Sequence, residues 1–427
     1  RLKFLSIFSS NLDEFYRVRI PAITALKKLT GKGKKNKQML QTIAEKIYGQ
    51  QQMFGELLES LLPKLKAHGI HLIYNEALPE AIVEDATNFF LHHLASFLKV
   101  VPLHKNSEIF PENNKLYLVA TLQRDEKDEI VLINIPSNHT GRFYRTNKEG
   151  ITYIAFIDDI ICYCLPLLFP NHIIRGTYSI KVTRDAELDL MDEYEGDISV
   201  KIEQQISKRD LGTATRFLFP PTMPEFLREH LIKTLKLSEA SKMKGGNYHN
   251  LKDLMSLPVN DPELLYPEVR PLEYTFRQKT TSLFTEIAAN DILIHTPYFS
   301  YNMVLRFFNE ASFDEDVEEI STTLYRVAND SKIVNALISA ARNGKKVTVF
   351  VELKARFDEA NNIKWGKKMK AAGIKVIYSI PGLKVHAKIA LVKRKTKGEY
   401  AYYGLLATGN LNEVTARFYT DHILLTA

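Results

Sequence analysis

The stretch from Asp291 to Tyr378 most constrains the fold, because its apolar pattern switches repeatedly between a period of two and a helical period. Asp291–His295 reads as a strand, Asn302–Ala311 as a helix and Ile320–Val327 as a second strand. The helix Lys332–Arg342 keeps Ile333, Leu337 and Ala341 on one side and stops at Asn343-Gly344. Val347–Leu353 reads as a continuous buried strand. The helix Glu359–Ala372 ends at Gly373, and Lys375–Tyr378 is a further strand. Such alternation predicts a largely parallel α/β sheet, with ligands at the carboxyl ends of its strands. Arg326 and Arg356 fall near two such ends, where guanidinium forks could take phosphate oxygens. The plainer alternative for each is an ion pair with a local acid such as Asp358.

The pattern leads to Pro381-Gly382-Leu383-Lys384-Val385-His386-Ala387-Lys388-Ile389-Ala390-Leu391-Val392. Read as a strand, it puts Leu383, Val385, Ala387, Ile389 and Leu391 on one apolar face, and Lys384, His386 and Lys388 on the other. An imidazole flanked by two ammonium groups offers a nitrogen lone pair as nucleophile, in a field that draws an anionic substrate. On its own this is also what a surface strand with solvated lysines looks like. Downstream stands Thr408-Gly409-Asn410-Leu411-Asn412-Glu413. His-x-Lys on a strand followed by Gly-Asn after a hairpin resembles the half-site of the phospholipase D-like superfamily, in which a His attacks phosphorus. The aspartate that often completes that pattern is not evident.

Elsewhere the chain divides by pattern. Residues 1–73 read as helical: Leu40, Ile43, Ile47, Phe54, Leu57, Leu58, Leu61 and Leu65 keep helical spacing until His68-Gly69 stops them. Gly31–Lys37, with four lysines, reads as a solvated loop between helices. Ser9–Phe15 has the signature of a helix start, with Ser10 or Asn11 as cap, and such a terminus also receives anions. From 74 to 272 the pattern is mixed. A helix at Pro79–Leu98 precedes strands at Leu116–Leu122 and Ile130–Ile135, and another helix is marked by Ile198, Ile202 and Ile206. The acids from Asp185 to Asp197 lack metal-ligand spacing and read as a solvated face, and His92, His93 and His104 have no ligand pattern either. Gly245–Asn250 is a turn-rich element, and prolines 258, 262, 267 and 271 mark a linker. The resulting division is 1–73, 74–272 and 273–427.

The 427 residues carry 57 Lys+Arg against 50 Asp+Glu, a net charge of +7 that suits an anionic ligand without demanding nucleic acid. Cys162 and Cys164 are too close for an ordinary disulfide and point to a reducing compartment. The apolar run Ile160–Pro170 is too short to span a bilayer, no signal peptide is visible, and the expectation is a cytoplasmic protein. No membrane anchor is encoded visibly; peripheral association stays open. The chain opens on Arg1 without a Met and stops inside an apolar run, which reads as a fragment.

Taken together, Asn11-Leu12-Asp13-Glu14-Phe15, Tyr325-Arg326-Val327-Ala328, Val351–Glu359, Gly382–Lys388 and Thr408-Gly409-Asn410 resemble the bacterial polyphosphate kinase of the phosphohistidine type. Tyr248-His249-Asn250 and Arg417–Asp421 fit as well, and the likeness runs along the whole chain. The resemblance implies a multidomain α+β and α/β fold: an N-terminal helical domain, a mixed α/β head domain that mediates a homo-oligomer (dimer or tetramer), and a phospholipase D-like α/β catalytic domain. It implies reversible transfer of the γ-phosphate of ATP to inorganic polyphosphate, with Mg2+, and no nucleic-acid partner. His386 corresponds to the residue that is phosphorylated, with Lys388 and Asn410 beside it as catalytic groups. Asn11 and Tyr419 match nucleotide contacts, and Arg326 and Arg356 match arginines of the magnesium–phosphate assembly. A guanidinium has no lone pair for a metal, so those two are expected on phosphate oxygens next to Mg2+. Lys384 and Arg417 are expected along the polyphosphate path. The family carries a second C-terminal domain, with a further essential histidine and a nucleotide-binding arginine, and this chain is expected to end before it.

The residues agree with that chemistry by exclusion too. No Gly-x-x-x-x-Gly-Lys-[Ser/Thr] loop and no protein-kinase set occurs, so a triphosphate must be held by other means. The rival readings are a phospholipase D-like phosphodiesterase or nuclease, and a polyanion-binding module without turnover.

Overall fold

The computed structural model describes residues 1–30, 33–104, 109–185, 202, 212–277, 282–353, 355, 358–378, 383–396 and 398–427, with backbone alone over 25–30 and 33–37. Arg356, Lys354, Pro381-Gly382, the acids from Glu187 to Asp197, and Ile198 and Ile206 lie outside the described residues. The chain forms two compact units: Arg1–Glu187 with Lys208–Leu264, and Leu188–Ser207 with Leu265–Ala427.

The first unit opens with helices α1 (Leu2–Thr30) and α2 (Gly33–Ala67). Leu2, Leu5, Phe8, Leu12, Phe15 and Tyr16 recur at helical spacing along α1 and pack into the core against Leu40, Ile43, Ile47, Phe54, Leu58 and Leu65 of α2. Full burial of such a side chain stabilises by about 1.5–3 kcal/mol. This packing overrides the local helix-start signature. Ser10 and Asn11 are not caps but interior positions of α1, so the anion-receiving terminus expected there does not exist. The loop expected over 31–37 is likewise shorter, because α2 starts at Gly33. The stop at His68-Gly69 holds: Gly69 takes φ +70° just past α2.

The strands of this unit are β1 (Ile70–Leu72), β2 (Val100–Pro102), β3 (Leu116–Arg124), β4 (Lys127–Ile135), β5 (Phe143–Lys148), β6 (Ile151–Phe156), β7 (Ile173–Arg184), β8 (Ala214–Phe219) and β9 (Ser241–Lys244). They form a sheet of order β2-β4-β3-β7-β8-β9 and a smaller one of order β1-β6-β5. The helix expected over Pro79–Leu98 is α-helical only from Glu80 to Phe89, and then widens into a π turn at Phe90–Leu94.

The second unit is a seven-stranded sheet. Its strands are β10 (Ile292–Thr296), β11 (Val317–Leu324), β12 (Lys346–Val351), β13 (Lys375–Tyr378), β14 (Lys388–Thr396), β15 (Glu399–Ala407) and β16 (Asp421–Thr426), in the order β10-β16-β15-β14-β11-β12-β13. Only β11, β12 and β13 run parallel; every other pairing is antiparallel. The largely parallel sheet expected from the sequence is therefore mixed. Helices separate the parallel strands, as the alternation required, but the chain after Tyr378 folds back through the β14–β15 hairpin. Ile294, Ile320, Val349, Val392, Leu405 and Leu425 fill the core with Phe307, Phe308, Leu337 and Trp365. On the opposite side of the strands Leu293, Ile389, Leu391 and Leu406 are exposed. No helix among the described residues is long and apolar enough to cross a membrane.

Candidate functional site

The His386 segment enters the sheet later than its alternation suggested. Ladder pairing begins at Lys388, and residues 383–387 run outside it. The buried face is also the reverse of the one expected. Lys388, Ala390 and Val392 point into the core while Ile389 and Leu391 are exposed, so the apolar set is not the buried set. Strand pairing decides this: Ala390 and Val392 sit opposite Thr322 and Ile320 of β11, whose side chains are buried.

Four backbone contacts hold the segment. Val385 N–H donates to Glu352 Oε2 at 2.8 Å, and Glu352 is fully buried at the end of β12. Thr323 Oγ1 donates to the Ala387 carbonyl at 2.7 Å and accepts from Ile389 N–H at 3.2 Å. Lys388 Nζ donates to the His386 carbonyl at 2.6 Å. Asn362, itself fully buried, braces Glu352 by donating Nδ2 to the carbonyls of Glu352 and Tyr325, at 2.9 and 2.8 Å.

On this fixed backbone the His386 side chain is exposed. Its Nδ1 lies 3.0 Å from Lys388 Nζ, and an ammonium can only donate, so Nδ1 accepts and a neutral ring carries its proton on Nε2. The Tyr325 ring meets the imidazole edge to face at 5.3 Å, and Lys388 Nζ lies 5.5 Å from the same Tyr325 centroid. Burial lowers the pKa of Lys388 and the Asp421 carboxylate opposes that, favouring the ammonium. Lys388 is 5% exposed. An exposed imidazole, a buried cation and an aromatic wall thus stand together.

Asp421 is the acid the sequence did not reveal. Lys388 pairs with Ala407, and Ala407 with Ile423, two residues from Asp421, so Asp421 shares the face of Lys388 two strands away. Its Oδ1 accepts from Thr408 Oγ1 at 2.8 Å, and a Cβ built on Gly409 would overlap its carboxylate. The Thr408-Gly409 pair is shaped around Asp421, and Asn410 follows with its Oδ1 buried and unpartnered. The signal was available only as the second acid after Gly409-Asn410, beyond Glu413, which is weak. Asn412, which the motif also contains, caps the turn Thr415–Arg417 by accepting from Val414 and Thr415 N–H at 3.0 and 3.2 Å, and supports the loop bearing Tyr419.

Arg326 is exposed at the end of β11, with Nε 3.4 Å from Asp358 Oδ2, so the local ion pair exists alongside a free approach to solvent. Burial raises the pKa of Asp358, and Arg326 acts against that. Tyr419 is 57% exposed, and its ring lies tilted against Phe418 with centroids 4.9 Å apart. Lys384 and Arg417 are exposed. All of these belong to the second unit. Asn11 is an exposed residue of α1 in the first. Among the described residues no three of His, Cys, Asp and Glu group to hold a metal.

Comparison with known proteins covers most of the length. Residues 1–73 match the N-terminal domain of polyphosphate kinase, 83–257 its middle domain and 282–427 its C-terminal domain 1. The polyphosphate kinases of Yersinia pestis and Escherichia coli K12 are each 35% identical, over 440 and 446 residues, covering 100% of this chain and 64% of theirs. The crystal structure of polyphosphate kinase from Porphyromonas gingivalis superposes with a TM-score of 0.78 at 36% identity, covering 100% of this chain and 62% of that one. The chain therefore spans about 64% of the length of the curated relatives it matches. Three successive domains matched in order, with the His386 segment inside the third, make this chain a member of the polyphosphate kinase family.

Proposed function

We propose that the chain carries the phosphorylated histidine of an ATP:polyphosphate phosphotransferase, and that this residue is His386. The observation that supports it most is the contact of Lys388 with both the ring and the carbonyl of an exposed His386, because it joins nucleophile and charge acceptor on one rigid backbone. In the first displacement a ring nitrogen bonds to the γ-phosphorus of ATP as the bond to the β,γ-bridging oxygen breaks, and ADP leaves. In the second, a terminal oxygen of polyphosphate bonds to that phosphorus as the N–P bond breaks. Both steps run in either direction.

Throughout, Lys388 turns from the imidazole to a phosphoryl oxygen and offsets charge on the equatorial oxygens. Asn410 hydrogen-bonds the phosphoryl group, and Asp421 keeps Lys388 charged and placed. Arg326 and Arg356 take non-bridging oxygens, while Asn11 and Tyr419 contact the nucleotide. Mg2+ would arrive with ATP and would offset phosphate charge there, since this ion usually keeps waters and phosphate oxygens and takes few protein ligands. In this reading residues 1–73, 74–272 and 273–427 are the helical, head and catalytic domains of a cytoplasmic homo-oligomer joined through the head, with peripheral membrane association left to its surface.

The test is incubation with γ-labelled ATP and Mg2+, of this chain and of a chain extended to the relatives' length. Acid-labile, alkali-stable label that is chased into polyphosphate and absent from His386→Ala supports the reading. Label that persists in His386→Ala overturns the assignment, and phosphodiester hydrolysis without label overturns the kinase.

A further inference from the structure

The first unit contains a second set of buried ionised groups, which the phosphoryl-transfer reading leaves unused. Asp13 on α1 takes Lys181 Nζ on one oxygen and Arg216 on the other, both at 2.5 Å. Lys181 and Arg216 are each 1% exposed and His249 is 4% exposed. Lys181 also donates to Asn250 Oδ1 at 2.6 Å, and Arg216 to Thr183 Oγ1 at 3.2 Å, while Arg216 Nε has no partner. His249 adds no charge, because burial and the nearby cations lower its pKa to about 3. Of the charged groups further out, Arg142 pairs with Asp158 at 2.7 Å, and Lys252 and Asp253 offset each other. One carboxylate therefore serves two buried cations, and an uncompensated buried charge is costly.

These groups line a cavity of about 470 Å³, inside the range of about 300–1,000 Å³ typical of small-molecule sites. Among the described residues its only acidic lining residue is Asp13, against Lys181, Arg216 and Lys244. Its walls are aromatic: Phe8, Phe54, Tyr74 and Tyr248, with Tyr74 and Tyr248 stacked at 4.9 Å. We infer that this cavity binds a flat aromatic ring bearing an anionic group, of the size and chemistry of a nucleoside monophosphate, with the phosphate on the excess cation and the base between the aromatic walls. Phe8, Ser9, Leu12 and Asp13 flank Asn11 on α1, so occupancy braces the helix that carries it. The binding claim stands whether or not His386 is phosphorylated.

Calorimetric titration with AMP, adenosine and inorganic phosphate tests this on the purified chain. Gly55 lies on α2 and lines the cavity, and a Cβ there meets nothing within 4 Å, so Gly55→Leu fills space while favouring the helix. AMP should bind at one site, more tightly than adenosine or phosphate. Gly55→Leu should weaken it at least tenfold without lowering the melting temperature, and Tyr419→Ala should retain it. Absence of AMP binding, phosphate binding as tight as AMP, indifference to Gly55→Leu, or loss only in Tyr419→Ala would each overturn the site.

Discussion

The Asp421 carboxylate occupies the space that a side chain at Gly409 would need, while Thr408 Oγ1 donates to the same carboxylate at 2.8 Å. Two consecutive residues just past β15 thereby fix one acid of β16 beside Lys388, and Gly409 is required by packing rather than by backbone conformation. Gly409→Ala should cost about 1–3 kcal/mol through overpacking. It should also slow phosphoenzyme formation, because the displaced acid faces Lys388. Equilibrium unfolding with single-turnover labelling checks both, and an unchanged protein would show that Asp421 yields freely.

Asp421→Asn tests the charge without the volume. Burial already lowers the Lys388 pKa, and Asp421 is the group that raises it. Removing the negative charge should lower it further, so the ammonium is lost earlier as pH rises. The alkaline limb of the phosphorylation rate should move to lower pH, with the melting temperature little changed. A purely structural Asp421 would leave the pH profile where it was.

Asn362→Leu keeps volume but withdraws both hydrogen bonds from the Glu352 and Tyr325 carbonyls. Buried acceptors left without a donor cost about 1–3 kcal/mol. The loss should appear in denaturant midpoints and as faster hydrogen exchange at Val385, whose amide is held by Glu352.

Asp13 should govern acid stability in the first unit. Burial pushes its carboxyl up, but Lys181 and Arg216 prevail and hold it at about 2, against 3.8 unperturbed. A depressed carboxylate stabilises fully above its unfolded pKa, and that contribution falls away as pH drops from about 4 toward 2. Asp13→Asn should flatten this limb of the stability curve. At neutral pH it should cost about 3–5 kcal/mol, since two buried cations lose their partner. Melting curves across that pH window decide it.

The sequence was most informative where pattern and packing coincide. The helix Lys332–Arg342 and the strand Lys375–Tyr378 were legible to the residue, because amphipathic period and glycine stops are local. Strand direction was not: nothing local says that the chain after Tyr378 turns back antiparallel. The face of β14 was misjudged because Ile389 and Leu391 are apolar but exposed, whereas Lys388 is charged but buried beside His386. Ser10 and Asn11 look like caps because capping chemistry is local, while the apolar stripe that carries α1 through them is a property of 29 residues. Of the candidate site, His386, Lys388, Arg326 and Asn410 were legible from motifs, and the structure joins His386 directly to Lys388. Asp421 was not, because its partner stands 33 positions earlier and only strand register brings them to one face.

The pinning of the His386 segment has a consequence for traffic. Val385, Ala387 and Ile389 are tied on either side of the imidazole, so the ring can turn about its own side-chain bonds but cannot travel. If His386 carries the phosphoryl group as proposed, a stationary carrier would receive and release its cargo at one berth. The outgoing diphosphate would then have to clear that berth before the incoming chain end reached it, and each substrate in excess should queue against the other.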